Sequence, residues 1–250
     1  MSEPGSNVVL MTSADAAPDW LTRVGVFDLE TTGVDVVHDR IVTAHVGVLD
    51  AKGRVIASRS WIADPGVPIP EGAAAIHGIT TARAQNEGRP AAEVVSEITD
   101  ALRALFAQGL PVVAYNASYD FSLLHHEALR HDIRPLENPS PVIDPLVIDK
   151  RVDRYRRGKR TLTAVAEHYA VPLTDAHEAS ADAIAAGRVA LALAERFALA
   201  PSAGELHVQQ IGWARSQAES LTEYFIQIGR LDATETLDGS WPVRADASGA

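Results

Sequence analysis

Four acidic residues in three separate stretches set the strongest constraint on how this chain can fold. Asp28 and Glu30 sit in Val26-Phe27-Asp28-Leu29-Glu30-Thr31-Thr32-Gly33, Asp120 closes Tyr115-Asn116-Ala117-Ser118-Tyr119-Asp120, and Asp182 ends His177-Glu178-Ala179-Ser180-Ala181-Asp182. Carboxylates gathered in a half-buried cleft cannot all stay ionised unless cations offset them. Two divalent cations sharing such a cluster are a known device for cutting phosphodiesters. Folding must therefore carry three distant stretches to one place.

The local patterns say which elements do this. Val24-Gly25-Val26-Phe27 is too short for a helix and reads as a buried strand leading into Asp28. Residues 41–49 and 54–62 read as two further strands, joined by a hairpin turn at Asp50-Ala51-Lys52-Gly53. Pro65, Gly66, Pro68 and Pro70 mark a loop. Val94, Val95, Ile98, Leu102, Leu105 and Phe106 have helical spacing across residues 91–107, with Gly109 as the stop. Residues 111–115 read as a short central strand, followed by a helix that carries Asp120 and is capped by Asn116 or Ser118. Val142 and Ile143 suggest another strand, residues 162–169 a short helix and residues 178–199 a long one. Strands first, then strand and helix in alternation, imply an α/β fold with a mixed sheet flanked by helices.

The organisation expected is a flexible segment over residues 1–20, a main domain over 21–200, an appended helix over 201–237 and a flexible tail over 238–250. The appended helix takes its apolar positions from Leu206, Ile211, Ala214, Leu221, Phe225 and Ile228.

Side-chain geometry refines the acidic cluster. Asp28 and Glu30 are two apart on a strand and project from one face, at the carboxyl end where open α/β sheets place their ligand crevice. Carboxylate oxygens suit hard cations such as Mg²⁺, and also Mn²⁺. Asp120 falls in the first turn of its helix, where the macrodipole favours an acid; that alone would also explain it. On one continuous helix His177 and Asp182 would point roughly 140° apart. Both can reach one site only if His177 precedes the helix, which makes it a loop-borne base beside a rigid ligand. Ala179, Ala183 and Ala186 would let this helix lie close to the sheet.

Composition narrows the rest. The chain has 250 residues, no cysteine and a net charge of -11. Disulfides and thiolate metal sites are excluded, which fits a cytoplasmic location. No apolar run approaches the ~20 residues needed to cross a bilayer, and a signal peptide is not expected. The negative charge argues against a broad grip on nucleic acid. The exception is the basic run of Lys150, Arg151, Arg154, Arg156, Arg157, Lys159 and Arg160, which is either a solvated loop or a phosphate-tracking patch.

Taken in order, the three acidic motifs, together with Ile76-His77-Gly78-Ile79-Thr80, resemble the DEDDh family of 3′→5′ exonucleases, and look like the proofreading (epsilon) subunits of bacterial replicative polymerases. The resemblance spans about residues 24–199. It implies an RNase H-like fold with a mixed sheet of about five strands, the second antiparallel to the others. It further implies that Asp28, Glu30 and Asp182 hold one divalent cation, Mg²⁺ or Mn²⁺, and that Asp28 bridges to a second supported by Asp120. His177 would take a proton from the attacking water, and nucleoside 5′-monophosphates would leave the 3′ end. Thr31, Thr32, His77, Ile79, Asn116 and Phe121 stand as substrate contacts, with core packing as the other reading of Phe121. Asp144 reads as structural.

Partners follow from the same resemblance: single-stranded DNA or RNA 3′ ends, and a DNA polymerase or other protein on the C-terminal helix. DNA and RNA are not separable here, because a 2′-hydroxyl contact depends on pocket geometry. A polymerase-docking subunit is the rival from another class, and the full acidic set with its histidine argues against a catalytically dead one. Neither a replisome subunit nor a free-standing repair or end-trimming enzyme is favoured.

Overall fold

A computed structural model describes residues 19–174, 176–200 and 202–244. The strands are β1 (Arg23–Thr31), β2 (Ile41–Asp50), β3 (Val55–Asp64), β4 (Arg89–Pro90), β5 (Val112–Val113) and β6 (Val142–Ile143). They form one six-stranded sheet in the order β4-β3-β2-β1-β5-β6. β2 runs antiparallel to β1 and β3, and the remaining pairings are parallel. The expected count of about five strands thus becomes six. The extra strand is the two-residue β4, which is too short to leave a periodic signal.

Among the described residues eight α-helices are interleaved with and follow the strands: α1 (Glu71–His77), α2 (Thr81–Glu87), α3 (Ala91–Ala107), α4 (Ala117–Arg130), α5 (Pro145–Val152), α6 (Leu162–His168), α7 (Ala179–Arg196) and α8 (Ala203–Gln227). The short α1, α2 and α5 have no counterpart in the sequence reading. Each is eight residues or fewer and begins beside a proline or threonine that reads equally well as a turn.

β1 divides the two cores by its alternation. Phe27 and Leu29 point into a layer completed by Ile98 and Leu102 of α3 and Phe121 and Leu124 of α4. Val24 and Val26 point the other way, into a layer completed by Ile148 of α5, Val165 of α6, and Ala183, Ala186, Val189 and Leu193 of α7. Full burial of a side chain the size of Val189 or Leu193 contributes about 1.5–3 kcal/mol. The small residues of α7 bring it close to the sheet: a Cβ added at Gly187 would lie 2.5 Å from Val26 Cγ1 and 2.6 Å from Leu49 Cδ1. Asp28 and Glu30 share the even-numbered face of β1 with Val24 and Val26, so both look towards α7.

α8 closes the β6 edge of the sheet. The Val142 amide donates to His207 Nδ1 at 3.0 Å, and the Asp144 amide donates to Gln210 Oε1 at 2.7 Å. Gln210 Nε2 returns a bond to the Val142 carbonyl at 3.1 Å. These side chains supply what a further strand would, leaving β6 without an open edge.

Two expected boundaries shift. Residues 1–18 and 245–250 lie outside the described part, but Trp20, placed in the flexible first segment, is buried and its indole meets the Ala200 carbonyl at 3.5 Å. Residues 238–244, expected to be a flexible tail, turn back against the sheet. Trp241 is 7% exposed, and the Arg244 guanidinium donates to Ser118 Oγ at 2.8 Å. The reason is hydrophobic: an indole of this size loses several kcal/mol if left in water.

Candidate active site

The acids converge where the parallel strands end. β5 stops at Val113, opposite Val26, so on that side of β1 the Leu29 amide has no strand to pair with. Asp120, in the first turn of α4, fills the gap and accepts that amide at 3.1 Å. α4 itself is fixed by Asp144, whose carboxylate accepts the Asn116 amide at 3.0 Å, the Ala117 amide at 2.9 Å and the Leu146 amide at 2.9 Å. Trp241 Nε1 adds a weaker contact at 3.4 Å. One buried carboxylate thus caps two helices and holds the one that presents Asp120.

On the α7 side His177 precedes the helix in a turn, with a left-handed backbone (φ 71°). Its amide donates to Asp182 Oδ2 at 3.3 Å. This is the break that the 140° argument required. Glu30, His177 and Asp182 each offer a ligand atom within 4.8 Å of the others.

The electrostatics tie in the remaining two acids. Burial pushes the Asp28 carboxyl well above its ordinary range, and the charges of Asp120, Asp182 and Glu30 push it further. Glu30 is raised to about 8, by burial first and Asp182 second. Burial also raises Asp120, against the opposing Leu29 amide, and raises Asp182, against the His177 amide and ring. No Lys or Arg forms an ion pair with any of the four among the described residues. Asp182 Oδ1 is buried with no hydrogen-bond partner. Oxygen donors that repel one another, with one buried lone-pair site unmet, are the donor set that hard divalent cations take. The residues present therefore fit the cations that the sequence implies.

The expected substrate contacts divide. Thr31 Oγ1 bonds the Gly33 carbonyl at 2.7 Å and pairs with the Tyr119 hydroxyl at 2.5 Å. Thr32 Oγ1 donates to Asp39 Oδ1 at 2.7 Å. Both hydroxyls are thus occupied in holding the β1 exit, and a Cβ at Gly33 would lie 2.5 Å from Asp39 Oδ2. His77 and Ile79 line a cleft of about 410 Å³ with Trp61, Arg83 and His177. His77 Nδ1 accepts the Ile79 amide at 3.2 Å, and burial lowers the imidazole's pKa, with the Thr31 backbone opposing.

Phe121 is a correction. It is 2% exposed and meets Phe27 edge to face, ring centroids 5.4 Å apart. It therefore packs the core and cannot stack on a base. Asn116 stands at the α4 N-terminus with φ 63°, but its side chain makes no cap bond there; Asp144 caps instead. Asn116 lines a different cavity, beside Lys150 and Arg244.

Two contributors lie outside the sequence reading. The Tyr119 hydroxyl donates to the Gly33 carbonyl at 2.5 Å and latches β1 to α4. His45 pairs with Asp28 in the β1–β2 register, and its Nδ1 meets Ser60 Oγ at 2.8 Å. Its Nε2 is buried without a partner. Register was the missing signal, because β2 could not be aligned on β1 before the hairpin was known.

Comparison with known proteins identifies the family and the fold. The exonuclease family profile of the RNase T type matches residues 26–190. The DNA polymerase III PolC-type of Lacticaseibacillus paracasei is 31% identical over 176 residues, covering 69% of this chain and 11% of the relative. That of Streptococcus thermophilus is 28% identical over 165 residues, covering 66% of this chain and 10% of the relative. The chain thus spans about a tenth of the curated relatives it matches. Among solved structures, exonuclease I from Methylocaldum szegediense superposes with a TM-score of 0.59 at 22% identity, covering 70% of this chain and 41% of the other. A zinc-bound complex of Escherichia coli exonuclease I with single-stranded DNA superposes with a TM-score of 0.58 at 19% identity, over the same shares. The fold is the RNase H-like fold of these enzymes.

Proposed function

Because the chain belongs to the RNase T exonuclease family, we propose that it is a divalent-cation-dependent 3′→5′ exonuclease that releases nucleoside 5′-monophosphates from DNA ends. The observation that carries this is the acidic cluster: four carboxylates raised by burial and mutual repulsion, with Asp182 Oδ1 buried and unpartnered beside Glu30 and His177.

Asp28, Glu30 and Asp182 would hold one Mg²⁺ or Mn²⁺, and Asp28 with Asp120 a second. When bound, the cations offset the cluster's charge and act as Lewis acids at the scissile phosphate. The protein's own groups do the rest. His177, exposed on the cleft side of Asp182, accepts the proton of the attacking water at an imidazole nitrogen. Asp182, through the His177 amide, holds that residue in place. The Thr31–Gly33 exit, latched by Tyr119, presents backbone groups to the terminal nucleotide. The cleft under Trp61, His77 and Ile79, about 410 Å³, is large enough for that nucleotide.

Exonuclease I of Escherichia coli forms complexes with single-stranded DNA and with a dT13 oligonucleotide, which supports a single strand as substrate. The PolC-type relatives support a place in replication, with proofreading, repair or end trimming as its setting. A polymerase docking on α8 would have to use the face that is not engaged with β6. Among the described residues no helix is long and apolar enough to cross a membrane.

The test is a matched set of 3′-labelled single-stranded DNA, duplex DNA with a mismatched end, and RNA, each with Mg²⁺, Mn²⁺ or EDTA. Mononucleotide release from single-stranded DNA, abolished by EDTA, is expected. A strong preference for RNA would move the substrate to RNA ends; no release with either cation would overturn the activity.

A further inference from the structure

We propose that the groove between α5 and α8, running past Lys150 to the start of α4, carries the single-stranded nucleic acid that trails behind the reacting 3′ end. This rests on the exonuclease reading for its direction but not for its ligand. α8 lies beyond the family-matched residues 26–190, so the groove is a feature of this chain's own extension.

The outer stretch is a cavity of about 440 Å³ lined by Lys150, Arg151, Arg154, Trp213 and Tyr224. The inner stretch, about 280 Å³, shares Lys150, Gln217 and Leu221 with it and reaches Asn116, Ser118 and Arg244. Asn116 stands at the N-terminus of the helix that presents Asp120. A continuous trough therefore leads from an exposed basic mouth to the acidic cluster's own helix.

The charges in the mouth are free to bind. The basic run divides in two: Arg156 and Arg160 both hold the buried carboxylate of Asp149, which fixes the loop after α5. Lys150, Arg151 and Arg154 form no ion pair among the described residues. Burial lowers the Lys150 ammonium's pKa, with Asp144 opposing. The one acid specific to the inner stretch besides Asp144 is Asp238, whose carboxylate accepts the Ser240 amide at 2.8 Å. On a chain of net charge -11, this local excess of cations draws a polyanion to one path and the surrounding surface repels it elsewhere.

Aromatic rings are interleaved with these cations. Arg151 lies over Trp213 at 5.9 Å, and Tyr224 is 53% exposed. Cations that track phosphates beside rings that stack on bases are the means by which single strands are held without sequence preference. An acidic peptide would meet the same cations, but it would have no use for the rings and would be carried towards the carboxylates that repel it.

The test is fluorescence anisotropy with an oligothymidylate of about 20 nucleotides, long enough to fill a single-strand site, on the full chain in EDTA across a range of salt. EDTA stops hydrolysis, so binding is read whether or not the exonuclease reading holds. Arg151→Gln/Arg154→Gln should weaken binding about tenfold and reduce the slope of log K against log salt by about 1.4. Tyr224→Ala should weaken it several-fold with the slope unchanged, and Tyr224→Phe should restore it. Wild-type binding by both the double variant and Tyr224→Ala would overturn the proposal, as would a wild-type chain that ignores the oligonucleotide at low salt. A poly-glutamate peptide that competes equally well would overturn it in favour of an acidic protein partner. Intact binding with no hydrolysis when Mg²⁺ is restored would overturn only the exonuclease reading.

Discussion

Replacing Glu30 with Gln tests the electrostatic heart of the cluster, because removing a negative charge should stabilise the cation-free protein. The Glu30 carboxyl titrates at about 8 rather than 4.5, chiefly through burial and then Asp182. A group whose folded pKa is raised above its unfolded value stabilises the fold at pH below 4.5, and that contribution is lost as pH climbs to about 8. At about 1.4 kcal/mol per pH unit the ceiling is about 5 kcal/mol. Glu30 is only partly buried, and solvent screening together with local relaxation leaves about 1–2 kcal/mol. For a chain of this size that is a shift of about 2–8 °C in Tm. The assay is thermal unfolding by circular dichroism in EDTA at acid pH and at mildly alkaline pH. Glu30→Gln should match the wild type at acid pH, melt higher than it at alkaline pH, and gain less from added Mg²⁺ or Mn²⁺. A variant that melts with or below the wild type at alkaline pH in EDTA would refute the reasoning: Glu30 would then not be held against the repulsion of its neighbours.

Further substitutions separate chemistry from scaffold. His177→Ala should lower kcat at least a hundredfold while leaving the cation-induced rise in Tm in place; loss of that rise would make His177 a ligand. Asp144→Ala removes the acceptor of three backbone amides and should cost about 3–5 kcal/mol, with Asp144→Asn recovering part of it in denaturant titrations. An Asp144→Ala protein as stable as the wild type would contradict the capping role. Gly187→Ala should destabilise by about 1–3 kcal/mol, although alanine is the better helix former, because its Cβ collides with Val26 and Leu49; chemical denaturation that shows a gain would mean α7 can move off the sheet.

What the sequence makes legible depends on how local the signal is. β1 could be read because Val24, Val26, Phe27 and Leu29 are apolar on both faces, and the two-residue spacing then put Asp28 and Glu30 on one of them. The break before α7 could be read because helical geometry forbids His177 and Asp182 from sharing a face otherwise. Signals that need a partner were not legible. Asp144 shows its part only once β6 lies beside β5, when its carboxylate reaches the α4 amides. Tyr119 becomes a latch only when α4 meets the β1 exit. Trp241 is one indole in a polar tail, and nothing adjacent in sequence says that it returns to Asp144. Phe121 misled because an aromatic residue next to Asp120 suits a core and a base equally. The helix turns it one position away from the cleft and into the Phe27 layer.

The account stands on the shared cations, and calorimetric titration of Mn²⁺ into the cation-free protein with thymidine 5′-monophosphate present measures them directly. The wild type should take up two ions per chain, and Asp28→Ala, which removes the ligand common to both sites, should take up none with comparable affinity. Uptake by Asp28→Ala equal to that of the wild type would show that the four acids do not hold the ions, and would contradict the account.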